Sequence, residues 1–389
     1  MYSDLSDYYL RWYHERPLAV TPERRDELRR LHRCILTCAG HFAERYESLT
    51  ARYMPLSDKE LEILDEQCRI APFRAGTFRP DYIISDSGDL KVCEITSRFF
   101  AHGIFMSWFG DRYAKDFCRR LCLPEPESRF REMMEYMLQI TGGCKRFFVF
   151  KSSDRTSEIR LYKRFYEAHG IEVTVCEAEE VEPRRREWDR PGTFLASALN
   201  QNDILALSMD TLRAMMQRGC YSDMRNIFLI HDKRFMHLWF QDEFTDACLS
   251  PEDAAFLRSH AIPTSLTPPE DARLHKDAYI LKPWRLGKSE GVYAGPLTDE
   301  ARWQELFYSG AASGMIAQPF IRQRTYPTVW EGTAFDDYVC GMMLCVDDKY
   351  FDSGYFRCSS LPVTNQGDDR KAAVIHTGDE TLLKYCDIL

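Results

Sequence analysis

The stretch Tyr279-Ile-Leu-Lys-Pro-Trp-Arg-Leu-Gly-Lys-Ser-Glu-Gly-Val292 reads as a strand ending at Lys282, then a glycine-containing turn, then a returning strand over 291–294. Gly287 and Gly291 let a backbone approach phosphate oxygens closely. A lysine at a strand end supplies a point charge for them, and Lys288 offers a second. The pattern also suits a hairpin with a solvated basic loop. It is not a Walker A loop, because GxxxxGK[ST] does not occur.

Three further segments carry chemistry of the same kind. Lys233, in Ile230-His-Asp-Lys-Arg-Phe235, sits where a helix begins. A lysine there opposes the helix dipole, which a bound anion would offset; an ordinary exposed lysine is the alternative. Asp81 and Glu94 stand on the two arms of a hairpin, so both carboxylates can converge on a hard cation such as Mg²⁺, with Arg98 beyond them for an anion. Met315-Ile-Ala-Gln-Pro-Phe-Ile321 is an apolar strand offering one amide, which suits either a purine or an ordinary core.

Composition narrows the class. The chain has 389 residues, 44% hydrophobic and 29% charged, enough for two or three packed units. A net charge of −9 gives no global pull toward nucleic acid or anionic membrane. The 14 cysteines are scattered without a CxxC pair, which argues against a zinc site and for free thiols in a reducing cytoplasm. No signal peptide and no apolar run of the ~18–20 residues that span a bilayer is visible.

The pattern along the chain is mixed. Thr21 and Pro22 open a helix whose apolar face runs from Leu28 to Leu49, and a second helix follows Ser57. Residues 81–85 and 90–95 flank turn chemistry at 86–89, a hairpin. From about 145, strands at 147–150, 173–175, 204–207 and 227–230 alternate with helices at 156–168 and 209–218, a small parallel α/β unit. The charged segment 177–202 reads as a surface excursion. Helices at 233–241, 251–260 and 299–309 and strands at 279–283, 315–321 and around 336–357 complete the reading.

In combination these segments resemble the ATP-grasp superfamily, and in order they resemble its circularly permuted form, as in glutathionylspermidine synthases. Asp86-Ser-Gly-Asp-Leu-Lys-Val-Cys-Glu-Ile-Thr96 is similar to the metal-binding segment that comes last in standard ATP-grasp ligases and comes first here. Arg79-Pro-Asp81 is similar to the Arg-x-Asp that opens it. Gly354-Tyr-Phe-Arg357 resembles the closing strands, where an arginine lies near the phosphates.

The resemblance implies an ATP-grasp fold of two α+β lobes, with a small α/β domain and N-terminal helices. Its expected division is a helical region at 1–75, the permuted metal-binding part of the C-lobe at 76–140, the α/β domain at 141–232, and the nucleotide-binding lobes at 233–389. It implies ATP held by Lys233, Lys282, Gly287, Lys288, Gly291, Gln318 and Ile321, and Mg²⁺ held by Asp81, Glu94 and Thr96. Thr96 stands where the family usually carries asparagine. Arg79, Arg98 and Arg357 are the implied catalytic cations. The implied activity joins a small carboxylate, an amino acid or peptide, to an amine or thiol through an acyl phosphate. A thioester-forming or phosphorylating relative, or a nucleotide-binding protein without catalysis, is the alternative.

Overall fold

A computed structural model describes residues 1–153, 158–287 and 289–389. The long helix is Pro22–Glu44, capped by the Thr21 hydroxyl on the Arg24 amide, and it buries Leu28, Leu31, Ile35, Cys38 and Phe42. The expected single apolar face breaks at Arg45, and a separate helix, Tyr46–Tyr53, follows. Helix Asp58–Ile70 starts with a capping box in which Ser57 and Glu60 satisfy each other's backbone donors.

The hairpin is present and longer than expected, Thr77–Ile84 against Leu90–Thr96. Its register sets Asp81 opposite Glu94 and Arg79 opposite Thr96, with an irregularity between Asp81 and Tyr82 that leaves Cys93 unpaired in the ladder. This hairpin belongs to a ten-stranded mixed sheet, in which Leu90–Thr96 pairs, among the described strands, only with Thr77–Ile84. Thr77–Ile84 pairs with Thr333–Met342 and with Leu344–Val346, both from the far end of the sequence. Tyr355–Ser359 and Arg370–His376 continue the sheet, and Leu18–Val20 closes on Arg370–His376 in parallel. Arg370–His376 and Thr325–Trp330 are strands the sequence reading did not find.

The small parallel sheet is built from Glu172–Glu177, Arg146–Lys151 and Thr193–Ala198. Its third strand lies inside the segment expected to be a surface excursion. All six of its residues are buried, so the polar–apolar alternation that marks a half-exposed strand is missing. Two expected strands are helical instead. Residues 204–207 fall in and just after helix Gln201–Ala206, which Asn200 caps, and Asn226–Ile230 forms a single π-helical turn. Short apolar runs satisfy either geometry when buried on all sides. The helix expected over 233–241 is reduced to Phe235–Leu238.

A third, smaller sheet joins Tyr279–Pro283 to Tyr293–Ala294 and to Met315–Pro319, all antiparallel. It has its own core: Leu281, Met315 and Ala317 pack on Trp303 and Leu306 of helix Glu300–Tyr308 and on Ala312. That cluster is separate from the main core under the ten-stranded sheet. The small sheet with its own cluster and the ten-stranded sheet thus form two facing lobes, and the candidate site lies between them. No helix among the described residues is long and apolar enough to cross a membrane.

Candidate functional site

An open cleft separates the small sheet from the hairpin. One part of its wall is apolar, from Ile83, Ile262, Ile280, Phe320 and Ile321. The other part is polar, from Glu94, Lys282, Arg357 and Asn365.

Lys282 bridges the lobes. Its strand buries it to 8% exposure, and its Nζ donates to the Cys93 carbonyl of the hairpin at 3.1 Å. Lys233 comes from a third direction. Its amide donates to the Trp284 carbonyl at 2.8 Å and its Nζ to the Leu286 carbonyl at 2.6 Å, which ties the segment after the π turn to the glycine loop. The same Nζ lies 3.9 Å from Glu94 Oε2.

The charges shape one another. Burial alone would push the Glu94 carboxyl up, but Lys233, Lys282, Arg357 and Arg79 together hold it down at about 2. Burial and the neighbouring Lys282 lower Lys233, with Glu94 opposing them.

Asp81 is fully buried, and its oxygens are committed to guanidinium groups. Arg79 binds it bidentately at 2.6 and 2.9 Å, and Arg357 Nη2 binds Oδ2 at 2.6 Å. The register explains the meeting, since Cys340 pairs with Arg357 on one side and Ile83 on the other. Arg357 also donates to Asn365 at 2.8 Å, while its Nε has no hydrogen-bond partner among the described residues. Four cations, Arg79, Arg357, Lys233 and Lys282, thus surround two carboxylates. That excess suits an anion of several charges.

Gly291 has φ +66°, and a Cβ there would meet Pro283 Cγ at 2.9 Å, so the turn of the loop requires glycine. Gly287 lies beside Arg98, whose Nη2 would sit 4.0 Å from a Cβ at that position. Arg98 stacks on Phe99 and lines a neighbouring small pocket with Ser97, Ser222 and Asn226. Lys288 lies outside the described residues.

Among the described residues no group of three or more His, Cys, Asp or Glu side chains is placed to hold an ion. Glu94 is the carboxylate that lines the cleft, with Thr96 half-buried two residues on along the same strand.

Sequence reasoning missed several groups here. His231 is buried, with Nδ1 within 3.3 Å of the Ile95 carbonyl and 3.4 Å of the Ser97 amide. Burial, Lys233 and Arg98 press its pKa to about 3, so it is neutral. Asp232 binds Arg234 at 2.7 Å and Arg285 at 3.0 Å, which fixes the backbone on either side of Lys233. The cluster Asp-Lys-Arg was visible in the sequence, but the partner Arg285 was not.

Residues 31–229, just over half of the chain, match the AnkG N-terminal domain family. The match runs from the long helix through the hairpin and the small parallel sheet. The ATP-grasp enzyme ankG of Aspergillus thermomutatus is 27% identical over 148 residues, which cover 33% of this chain and 31% of that relative. The matched part therefore spans about a third of the relative's length. A solved structure from Methylobacillus flagellatus KT, provisionally assigned as a gamma-glutamylcysteine synthetase, aligns with 85% of this chain and 83% of its own. It does so at 11% identity and a TM-score of 0.38.

Proposed function

The chain belongs to the AnkG N-terminal domain family, and on that premise we propose that it is an ATP-dependent carboxylate–amine ligase of ATP-grasp type. It would join a small acid to an amine through an acyl phosphate and release ADP and phosphate. The description of its relative as an ATP-grasp enzyme supports the class. The hairpin near the start of the sequence, paired with strands from its far end, supports the permuted order.

The observation that carries the reading is the meeting of Lys282 and Glu94 at one cleft, with the buried Lys233, from a third element, bringing its Nζ to 3.9 Å from Glu94 Oε2. In this reading Lys233 and Lys282 bind the phosphates. The glycines at 287 and 291 let the loop close on them, and Gln318 and Ile321 flank the base. Arg357, held by Asp81 and with an Nε–H that has no partner among the described residues, neutralises charge as the acid attacks. Arg98 holds the acid from the neighbouring pocket. Glu94, beside Thr96, would hold the magnesium that accompanies the nucleotide and withdraws charge from its phosphates. Asp81 serves the site by fixing Arg79 and Arg357. Two lobes closing on the nucleotide exclude the water that would hydrolyse an acyl phosphate.

The test is coproduct analysis with Mg-ATP across amino acids, short peptides and amines. Acid- and amine-dependent ADP is expected. AMP with pyrophosphate would replace this mechanism by adenylation.

A further inference from the structure

Two glutamines line the cleft, and in each the amide's orientation is fixed by its partner. Gln318 Nε2 donates to Thr264 Oγ1 at 2.9 Å. The Thr264 hydrogen is already used, because that hydroxyl donates to the Ile262 carbonyl at 3.0 Å, so its oxygen must accept. The sulfur of Met236, 4.0 Å from Nε2, favours the same orientation. The amide oxygen is therefore turned away from Thr264. Gln318 Oε1 is buried without a hydrogen-bond partner among the described residues, in a side chain of 0% exposure.

Gln323 repeats the arrangement. Its Nε2 donates to the Pro362 carbonyl at 3.1 Å, a group that can only accept, and its Oε1 is likewise buried and unpartnered among the described residues. A buried acceptor without a donor costs about 1–3 kcal/mol, and two in one cleft wall point to a ligand that brings donors. The apolar side chains around Gln318, among them Ile262, Ile280 and Ile321, suit a flat heteroaromatic ring.

Resting on the nucleotide reading above, we infer that Gln318, locked by Thr264, makes the cleft select a 6-aminopurine and reject a 6-oxopurine. The exocyclic amine of adenine donates to Oε1. The 6-oxo group of hypoxanthine or guanine would set oxygen against oxygen. Turning the amide over to escape this would bring Oε1 to Thr264 and leave its accepting lone pairs unanswered. Thr264 is a positioning residue: it acts through Gln318 and sets base choice without touching the base.

Calorimetric titration of the full chain with Mg-ATP and Mg-ITP, which share the sugar and triphosphate, tests this without any acid or amine. ITP should bind about tenfold more weakly or worse. Thr264→Val keeps the side-chain shape and removes the acceptor, so the ratio should fall to within about threefold; Thr264→Ser should retain it. Gln318→Met should lose it too, and it decides the matter if Thr264→Val does not fold. Equal and tight binding of both nucleotides to the unmodified protein would overturn base selection while leaving the nucleotide site intact. Thr264→Val with an unchanged ratio would overturn the positioning role. Binding of neither nucleotide would overturn the inference together with the reading beneath it.

Discussion

Lys233 Nζ lies 3.9 Å from Glu94 Oε2, yet its 2.6 Å hydrogen bond goes to the Leu286 carbonyl instead. The lysine is thus aimed by the glycine loop and only biased by the carboxylate. A phosphate oxygen entering the cleft could share it without first breaking a tight ion pair.

The two partners should therefore fail differently. Lys233→Ala and Lys282→Ala each remove a charge-assisted contact to phosphate and should raise the Kd for Mg-ATP about ten- to hundredfold. Glu94→Gln should leave Kd close to that of the unmodified protein and lower kcat by about a hundredfold or more. Nucleotide titration beside single-turnover kinetics separates the two. Unchanged turnover in Glu94→Gln would remove that residue from the chemistry.

Acid should destabilise the protein in two stages. His231 is held neutral with its pKa near 3, below the ordinary 6.5, so the unfolded chain binds its proton first and stability falls as pH drops below about 6.5. Glu94 is depressed from 4.5 to about 2, so its contribution is present above pH 4.5 and is lost as pH falls from there toward 2. That second stage is worth on the order of 3 kcal/mol at most. A Tm–pH profile of Glu94→Gln should keep the first decline and flatten the second. A profile parallel to that of the unmodified protein would contradict this.

Gly291→Ala places a methyl against Pro283 at a left-handed φ. Strain of about 1–3 kcal/mol is expected, read as a lower Tm with a weaker Mg-ATP-induced rise. Gly310, also left-handed but with open space around it, is the control: alanine there should cost about 1 kcal/mol and leave nucleotide binding alone.

An acyl-phosphate route transfers one substrate oxygen to the released phosphate. An acid labelled with ¹⁸O in its carboxylate should yield labelled inorganic phosphate alongside ADP, detected by mass spectrometry. Unlabelled phosphate would exclude carboxylate attack at the γ-phosphorus even if nucleotide binding were strong.

How far the sequence could be read depended on the range of each contact. Local signals gave the Thr21 and Ser57 caps, the hairpin around Ser87-Gly88 and the strand ending at Lys282, because each is written within a few residues. The strand Thr193–Ala198 was missed because burial on both faces removes the alternation that reveals a strand. Asp81 looked like an open carboxylate for the same reason that its clamp was invisible. Arg357 is 276 positions away, and only the sheet register brings it there. The glutamine locks depend on Thr264 and Pro362, which no spacing in the sequence links to Gln318 and Gln323.

Beyond its hairpin mate Leu90–Thr96, the strand Thr77–Ile84 finds the partners for its other edge at 333–346, about 250 residues later. At a translation rate of about 5–20 residues per second, the hairpin leaves the ribosome some ten to fifty seconds before the strands that cover it. For that interval the nascent chain presents an unpaired β edge carrying Tyr82, Ile83 and Ile84, a template for pairing with other chains. Slow-arriving cover should therefore make the yield on expression sensitive to holdase capacity and temperature.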